Sequence, residues 1–240
     1  MDEPDTTLGA IVMVRRRKLA ATQRLLGDTI AISEPDWRAP VALPGWTRAH
    51  VATHVARNAD MLRRIVEEVM AGRPFPQPAS SIDKQRELEA GARRSPLDLQ
   101  IDLDTSAGRL NVTFDALTAD QWAEVDTTTG LSLADLPVAR LNEVVLHHID
   151  LDCGFGFGDL DVATAQMLLE WNAHRLAPTR LGRTAVELIS DTGHRVLAGD
   201  SERQPVKVSG TDATLLGWLT GRLDRRSVEG AEHLSLGLPV

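Results

Sequence analysis

The sequence predicts a mainly α protein, an N-terminal helical bundle over residues 1–155 followed by a smaller α/β part over 156–240. Three observations carry this. Apolar residues recur at three- and four-residue spacing through long stretches before residue 155, the period of a helix with one buried face. A glycine-rich run, Gly154-Phe155-Gly156-Phe157-Gly158, interrupts that pattern. Beyond it, short alternating segments stand between helical ones, and a switch from helix-only to mixed periodicity marks a boundary between layers of different kinds.

The first helix is expected over residues 8–32, on the spacing of Ile11, Val14, Leu19, Leu25 and Leu26. Prolines and a glycine between Pro35 and Gly45 then break the periodicity, and Thr47 is placed to cap a second helix running to about Ala71. Three prolines in Gly72-Arg73-Pro74-Phe75-Pro76-Gln77-Pro78 forbid helix and predict an extended surface connector. A third helical stretch begins near Asp83, is interrupted from Gly91 to Pro96, and resumes through Leu99, Leu103, Leu110, Phe114 and Leu117. Residues 120–130 are polar and threonine-rich, suited to a short extended piece. Leu133 to Leu151 reads as the last helix of this half, with Pro137 tolerable only in its first turn. In the second part a helix is expected over 162–176. A hairpin follows, through Ala185–Ile189 and Val196–Leu197 around the turn Asp191-Thr192-Gly193, then a strand over 205–210 and a helix capped by Thr211 or Asp212 and ending at Arg222.

A hydrophobic share of 42% and a charged share of 25% are those of an ordinary globular protein, and no stretch approaches the ~20 apolar residues of a membrane span. The acidic start, Met1-Asp2-Glu3-Pro4-Asp5, lacks the form of a secretory signal, so a cytoplasmic location is expected. A formal charge of -8 argues against nucleic-acid binding, which needs a concentrated basic surface. The run Arg15-Arg16-Arg17-Lys18 would wrap around its helix and is read as a solvated face. The single cysteine, Cys153, excludes an intrachain disulfide and every multi-cysteine zinc motif. No activating base stands near it in sequence, and it is read as a packed thiol. Trp46, Trp122 and Trp218 are read as packing residues.

Four of the seven histidines fall in two short helical segments. Glu143 and His147 stand four residues apart, on one helix face and about 6 Å apart along its axis, so both can reach one ion. A third donor would come from His50 or His54 on the second helix, facing the first pair across a bundle. Imidazole and carboxylate suit zinc, and three protein donors leave a position open for water or substrate. Taken singly, each i,i+4 pair is weak, since a histidine on an apolar helix face is often a hydrogen-bonded core residue. No glutamate follows His50 or His54, so the H-E-x-x-H arrangement of metallopeptidases is absent.

The segments Gly45-Trp46-Thr47-Arg48-Ala49-His50-Val51-Ala52-Thr53-His54-Val55-Ala56-Arg57-Asn58-Ala59 and Asn142-Glu143-Val144-Val145-Leu146-His147-His148-Ile149-Asp150-Leu151 resemble the mycothiol-dependent maleylpyruvate isomerase family. That resemblance implies a DinB-like four-helix bundle whose zinc ligands fall on His54, Glu143 and His147. It extends to Val208-Ser209-Gly210 and Leu215 to Arg222, similar to the family's C-terminal α/β domain, where a functional arginine matches Arg222. It leaves His50 as first-turn packing or an outer partner, and Asp150 as a carboxylate near the site.

The same resemblance implies a thiol enzyme. Zinc would lower the pKa of a bound low-molecular-weight thiol, mycothiol, whose thiolate adds to the conjugated double bond of a cis-dienoic keto acid; rotation and elimination then give the trans isomer. Arg222 would clamp the acidic substrate or stabilise the enolate, or else be a surface or interface arginine. Two further readings stand beside the isomerase. A mycothiol S-transferase would join the thiol to an electrophilic small molecule and consume it. A binding or regulatory module would show no turnover and would tolerate His54→Ala.

Overall fold

The computed structural model describes residues 3–77, 79–125, 132–176, 184–200, 203–234 and 236. The chain divides into two compact units, Met1–Phe155 and Gly156–Val240. The first contains α1 (Glu3–Thr29), α2 (Arg48–Met70), α3 (Ser81–Ala92), α4 (Pro96–Asp115), the single turn α5 (Ala119–Trp122) and α6 (Leu136–Asp150). α2 packs on α4 and α6, and α1 on α6 and α4, forming a four-helix bundle with α3 laid against α2. Among the described residues its core holds two apolar clusters. One includes Leu25, Trp37, Val51, Val55, Leu99, Leu103, Val144 and Leu151; the other includes Ile11, Leu62, Val66, Leu110, Phe114, Trp122, Leu133 and Leu136.

Several boundaries differ from the sequence expectation, each for a local reason. α1 begins at Glu3 rather than near Leu8, because its first turns, Glu3-Pro4-Asp5-Thr6-Thr7, contain no apolar residue for periodicity to register. Its buried face is Ile11, Lys18, Thr22, Leu25 and Thr29, a true seven-residue recurrence, while Leu19 is exposed. The reading of Arg15 to Lys18 as a solvated face is therefore corrected at both ends of the run. Lys18 is buried, donates to Asn111 Oδ1 and lies over the Phe114 ring, while Arg15 pairs with Asp115. Burial, then the neighbouring Arg140 and Arg15, pull the Lys18 pKa down to about 8.

The interrupted third stretch resolves into two helices. Ser80 caps α3 and Ser95 caps α4, with Pro96 in the first turn of α4. Gly91 near the end of α3 is required by closeness: a Cβ there would collide with the side chain of Thr53, which is buried on α2 and bonded to Ala49 O. The stretch over 120–130 starts with α5 rather than a strand, and Val125 bridges Ser132; residues 126–131 lie outside the described residues. A short 3-10 turn, Leu133–Asp135, leads into α6, where Pro137 occupies the first turn.

The second unit contains α7 (Val162–His174), β1 (Ala185–Ser190), β2 (Arg195–Gly199), β3 (Val206–Gly210) and α8 (Asp212–Leu219). The sheet order is β2-β1-β3. β1 and β2 form the antiparallel hairpin that the turn residues indicated, and β3 runs parallel to β1. α7 and α8 pack together, burying Leu168, Leu169, Leu215, Leu216 and Trp218. α8 ends at Leu219, short of Arg222, because Gly221 takes φ +75 and the amides of Gly221 and Arg222 fold back onto Trp218 O and Gly217 O.

His194, beside the hairpin turn, bridges two helices: Nε2 lies 2.8 Å from Glu170 Oε1 of α7, and Nδ1 3.1 Å from Asp212 Oδ1 of α8. Burial opposes its charge, but the two carboxylates outweigh that and raise its pKa. A raised folded-state pKa contributes stability that is fully present below the unfolded value near 6.5 and is lost as pH rises through the folded value. The stability difference between wild type and His194→Gln should therefore be largest at about pH 6 and shrink by pH 8.5. With the Glu170 partner half exposed and solvent screening its share, the effect is on the order of 0.5 kcal/mol. Thermal melts of both proteins across that range check it.

Candidate metal centre

α2 and α6 run antiparallel, and their ends are tied together. Arg48, the first residue of α2, donates from Nε to Leu151 O at 2.6 Å and from Nη2 to Asp152 O at 2.9 Å, just past the end of α6. This register brings His54, two turns into α2, opposite the Glu143–His147 pair on α6. His54 Nε2 lies 3.0 Å from Glu143 Oε2, and His147 Nε2 lies 3.5 Å from the same oxygen. The two imidazoles meet edge to face with centroids 4.5 Å apart. One donor atom from each residue lies within 4.8 Å of the others, and this is the one such group of three among the described residues.

Burial by itself would push the Glu143 carboxyl up, but hydrogen bonds and charge from His147 and His54 hold it well below the usual carboxylate range. Burial likewise disfavours charge on His147, and is overcome by Asp150 and Glu143, which raise its pKa. Asp150, buried at the end of α6, places Oδ2 2.8 Å from His147 Nδ1. Its carboxylate thus stands behind His147, on the opposite side of the ring from Glu143. A proton held at Nδ1 leaves the Nε2 lone pair aimed at the cluster. The donor set fits a divalent ion. Separations of 3.0 and 3.5 Å bracket the ~3.3 Å edge of a tetrahedron with donors ~2.0–2.1 Å from its centre. The orienting carboxylate behind an imidazole donor is the usual companion of a bound ion.

His50 is not part of this cluster. Its Nδ1 accepts the Thr47 amide at 3.1 Å, closing the first turn of α2, and its Nε2 lies 3.5 Å from Glu89 of α3. His148 faces the other way, 3.0 Å from Asp28 of α1 and stacked on Phe155 at 4.3 Å, so it joins α1 to α6. Cys153 packs against the Leu25–Leu151 cluster, and burial followed by Asp28 pushes its thiol up to about 11, the reverse of an activated nucleophile. Arg222 belongs to the second unit. There it lines a cavity of about 520 Å3 with Trp218, Leu223, Asp224 and Leu234, and its Nη1 donates to Thr220 O at 3.4 Å.

Trp122 and Trp218 are core residues, and Trp46 packs against the Leu25–Leu151 cluster. Its ring lies 5.3 Å from that of His54 and 6.4 Å from that of His147. Periodicity missed it because it stands in the turn before α2, outside any helical face. The signal available was its place next to Thr47, the cap from which the histidine positions are counted.

Comparison with known proteins identifies the fold and the family. The family model described as Mycothiol maleylpyruvate isomerase N-terminal domain matches residues 19–152. Two solved structures, a mycothiol-dependent maleylpyruvate isomerase and a histidine-to-alanine mutant of it, superimpose with a TM-score of 0.82 at 21% identity, over 95% of this chain and 96% of theirs. At that identity the likeness establishes the fold, a helical N-terminal domain with a small α/β C-terminal domain. No curated protein matches by sequence. Among the described residues, no helix is long and apolar enough to cross a membrane. Matched over more than half its length, the chain belongs to the mycothiol maleylpyruvate isomerase N-terminal domain family.

Proposed function

We propose that this protein is a metal- and mycothiol-dependent cis-trans isomerase of the maleylpyruvate type, with zinc or another divalent ion held by His54, Glu143 and His147. The observation that carries the reading is the convergence of two imidazole nitrogens and one carboxylate from facing helices on a single point, with Asp150 behind one of them. Family membership supports the choice of thiol and of a small conjugated acid as substrate.

A divalent ion in this position supplies a Lewis acid that lowers the pKa of a thiol and makes a thiolate available at neutral pH. The chain's own residues do the rest. Glu143, held ionised, offsets the charge of the ion, while His54 and His147 present nitrogen donors from two rigid helices, so that little reorganisation accompanies binding. Asp150 keeps the His147 proton at Nδ1. In the second unit, Arg222 would clamp a carboxylate or an enolate oxygen through its planar guanidinium.

Asp150→Asn retains the shape of the carboxylate but removes its charge, so His147 becomes a weaker and less well oriented donor. Zinc affinity should fall about 10- to 100-fold, the range typical of such outer partners, with the fold intact. Chelator competition measures it.

The isomerase reading is tested by incubating metal-quantified protein with mycothiol and maleylpyruvate, following fumarylpyruvate and free thiol together. Formation of the trans product with the thiol undiminished supports it. Stoichiometric loss of thiol would replace it with an S-transferase, and no turnover by metal-loaded protein would leave a binding module.

A further inference from the structure

We propose that Trp46 is a positioning residue of the metal centre, an aromatic wall that holds the His54 and His147 rings in the orientation their donor nitrogens need. The inference rests on the metal-binding reading of the His54–Glu143–His147 cluster and adds a residue to it.

The argument begins with the turn before α2. Gly45 adopts φ +78, a left-handed conformation that residues with side chains rarely take, and this reversal directs the chain into Trp46. The Trp46 backbone is then fixed from both sides: its amide donates to Leu43 O at 3.1 Å, its carbonyl accepts from Val41 at 3.0 Å, and the adjoining Thr47 bridges Pro40. One flank of the indole packs on the apolar cluster containing Leu25, Val51 and Leu151. Its aromatic contacts among the described residues are with imidazoles: His54 at 5.3 Å and 53°, His147 at 6.4 Å and 19°, His50 at 6.5 Å and 34°. These are ordinary separations for aromatic pairs that attract one another.

His54 needs such support more than its partner ligand does. Asp150 Oδ2 stands 2.8 Å from the far nitrogen of His147, whose side chain is 12% exposed; the His54 side chain is 37% exposed and meets Glu143 through Nε2. Against a pinned indole, the His54 ring is limited to orientations that keep Nε2 directed at the Glu143 oxygen. With the indole removed, the ring regains rotamers that must be surrendered when an ion binds.

The experiment is cobalt titration of wild-type protein and of Trp46→Ala, Trp46→Leu and Trp46→Phe, reading the dissociation constant, the visible absorption bands of bound Co2+, and quenching of tryptophan fluorescence. Melting curves identify folded variants; if Trp46→Ala fails to fold, the leucine and phenylalanine proteins carry the comparison. Trp46→Ala and Trp46→Leu should bind Co2+ about tenfold more weakly with altered bands. Trp46→Phe should restore both affinity and bands while losing most of the fluorescence quenching. Wild-type affinity and bands in Trp46→Ala, or rescue by leucine as complete as by phenylalanine, would overturn the proposal while leaving the metal centre standing. Failure of wild-type protein to take up Co2+ at all would remove the metal centre and this inference together.

Discussion

His54→Ala is expected to abolish metal retention and turnover together while leaving the bundle folded. The substitution removes one of three donors and leaves a two-point site on a single helix, Glu143 and His147, with no contribution from α2. Losing a direct donor should weaken zinc by at least about a hundredfold, beyond the ~10–100-fold that outer partners contribute. Catalysis at saturating thiol should fall with metal occupancy to under about 1% of wild type. The fold should survive, because the His54 side chain is 37% exposed and its hydrogen bond to Glu143 is not the group's sole ion pair: His147 remains 3.5 Å away. Metal analysis after dialysis, isomerase assay and a thermal melt separate these effects. A metal-free but folded and inactive protein supports the enzyme reading; full activity in the variant would sink the metal mechanism, and no turnover by either protein would favour a binding module.

The largest expected effect on stability comes from a residue that touches neither thiol nor substrate. Arg140 is 2% exposed in the bundle, where its Nη1 donates to Val55 O at 2.7 Å and to Asn58 Oδ1 at 2.8 Å on α2. Burial lowers its pKa to about 10, partly offset by Glu143 and Asp60. Arg140→Ala opens a cavity between α2 and α6, strands the Asn58 amide oxygen, and deprives Glu143 of a buried countercharge. Cavities and orphaned buried groups of this kind cost about 2–5 kcal/mol. Relief of repulsion on Lys18 returns a fraction of that, and a net loss of about 3 kcal/mol is expected. Arg140→Met, which keeps most of the volume, should lose about half as much. Urea unfolding of the three proteins checks the order. If Arg140→Ala lost less than about 1 kcal/mol, the guanidinium would be dispensable to the α2–α6 interface.

Both predictions concern the same seam between α2 and α6, and they show where sequence reading reaches its limit. The i,i+4 spacing of Glu143 and His147 was legible because 3.6 residues per turn place them on one face whatever the helix packs against. The choice between His50 and His54 was not legible from spacing, since both lie on the same helix one turn apart. The antiparallel register, set by Arg48 on the carbonyls of Leu151 and Asp152, puts His54 opposite Glu143, and the capping role at Thr47 engages His50 instead. Lys18 was misread for a related reason. A basic residue in a basic run has the composition of a surface, yet its seven-residue offset from both Ile11 and Leu25 turns it inward.

The sequence by itself determined the helical first half, the mixed second half, the cap at Thr47, and the pairing of Glu143 with His147, because these depend on local period and backbone chemistry. The family resemblance pointed to His54, but only the tertiary structure showed why it and not His50 faces that pair, that Asp150 stands behind His147, and that Trp46 lies beside the cluster. Those facts depend on how one helix is shifted along another, and a displacement of a single turn, about 5.4 Å, would exchange one histidine for the other without altering any local pattern in the chain.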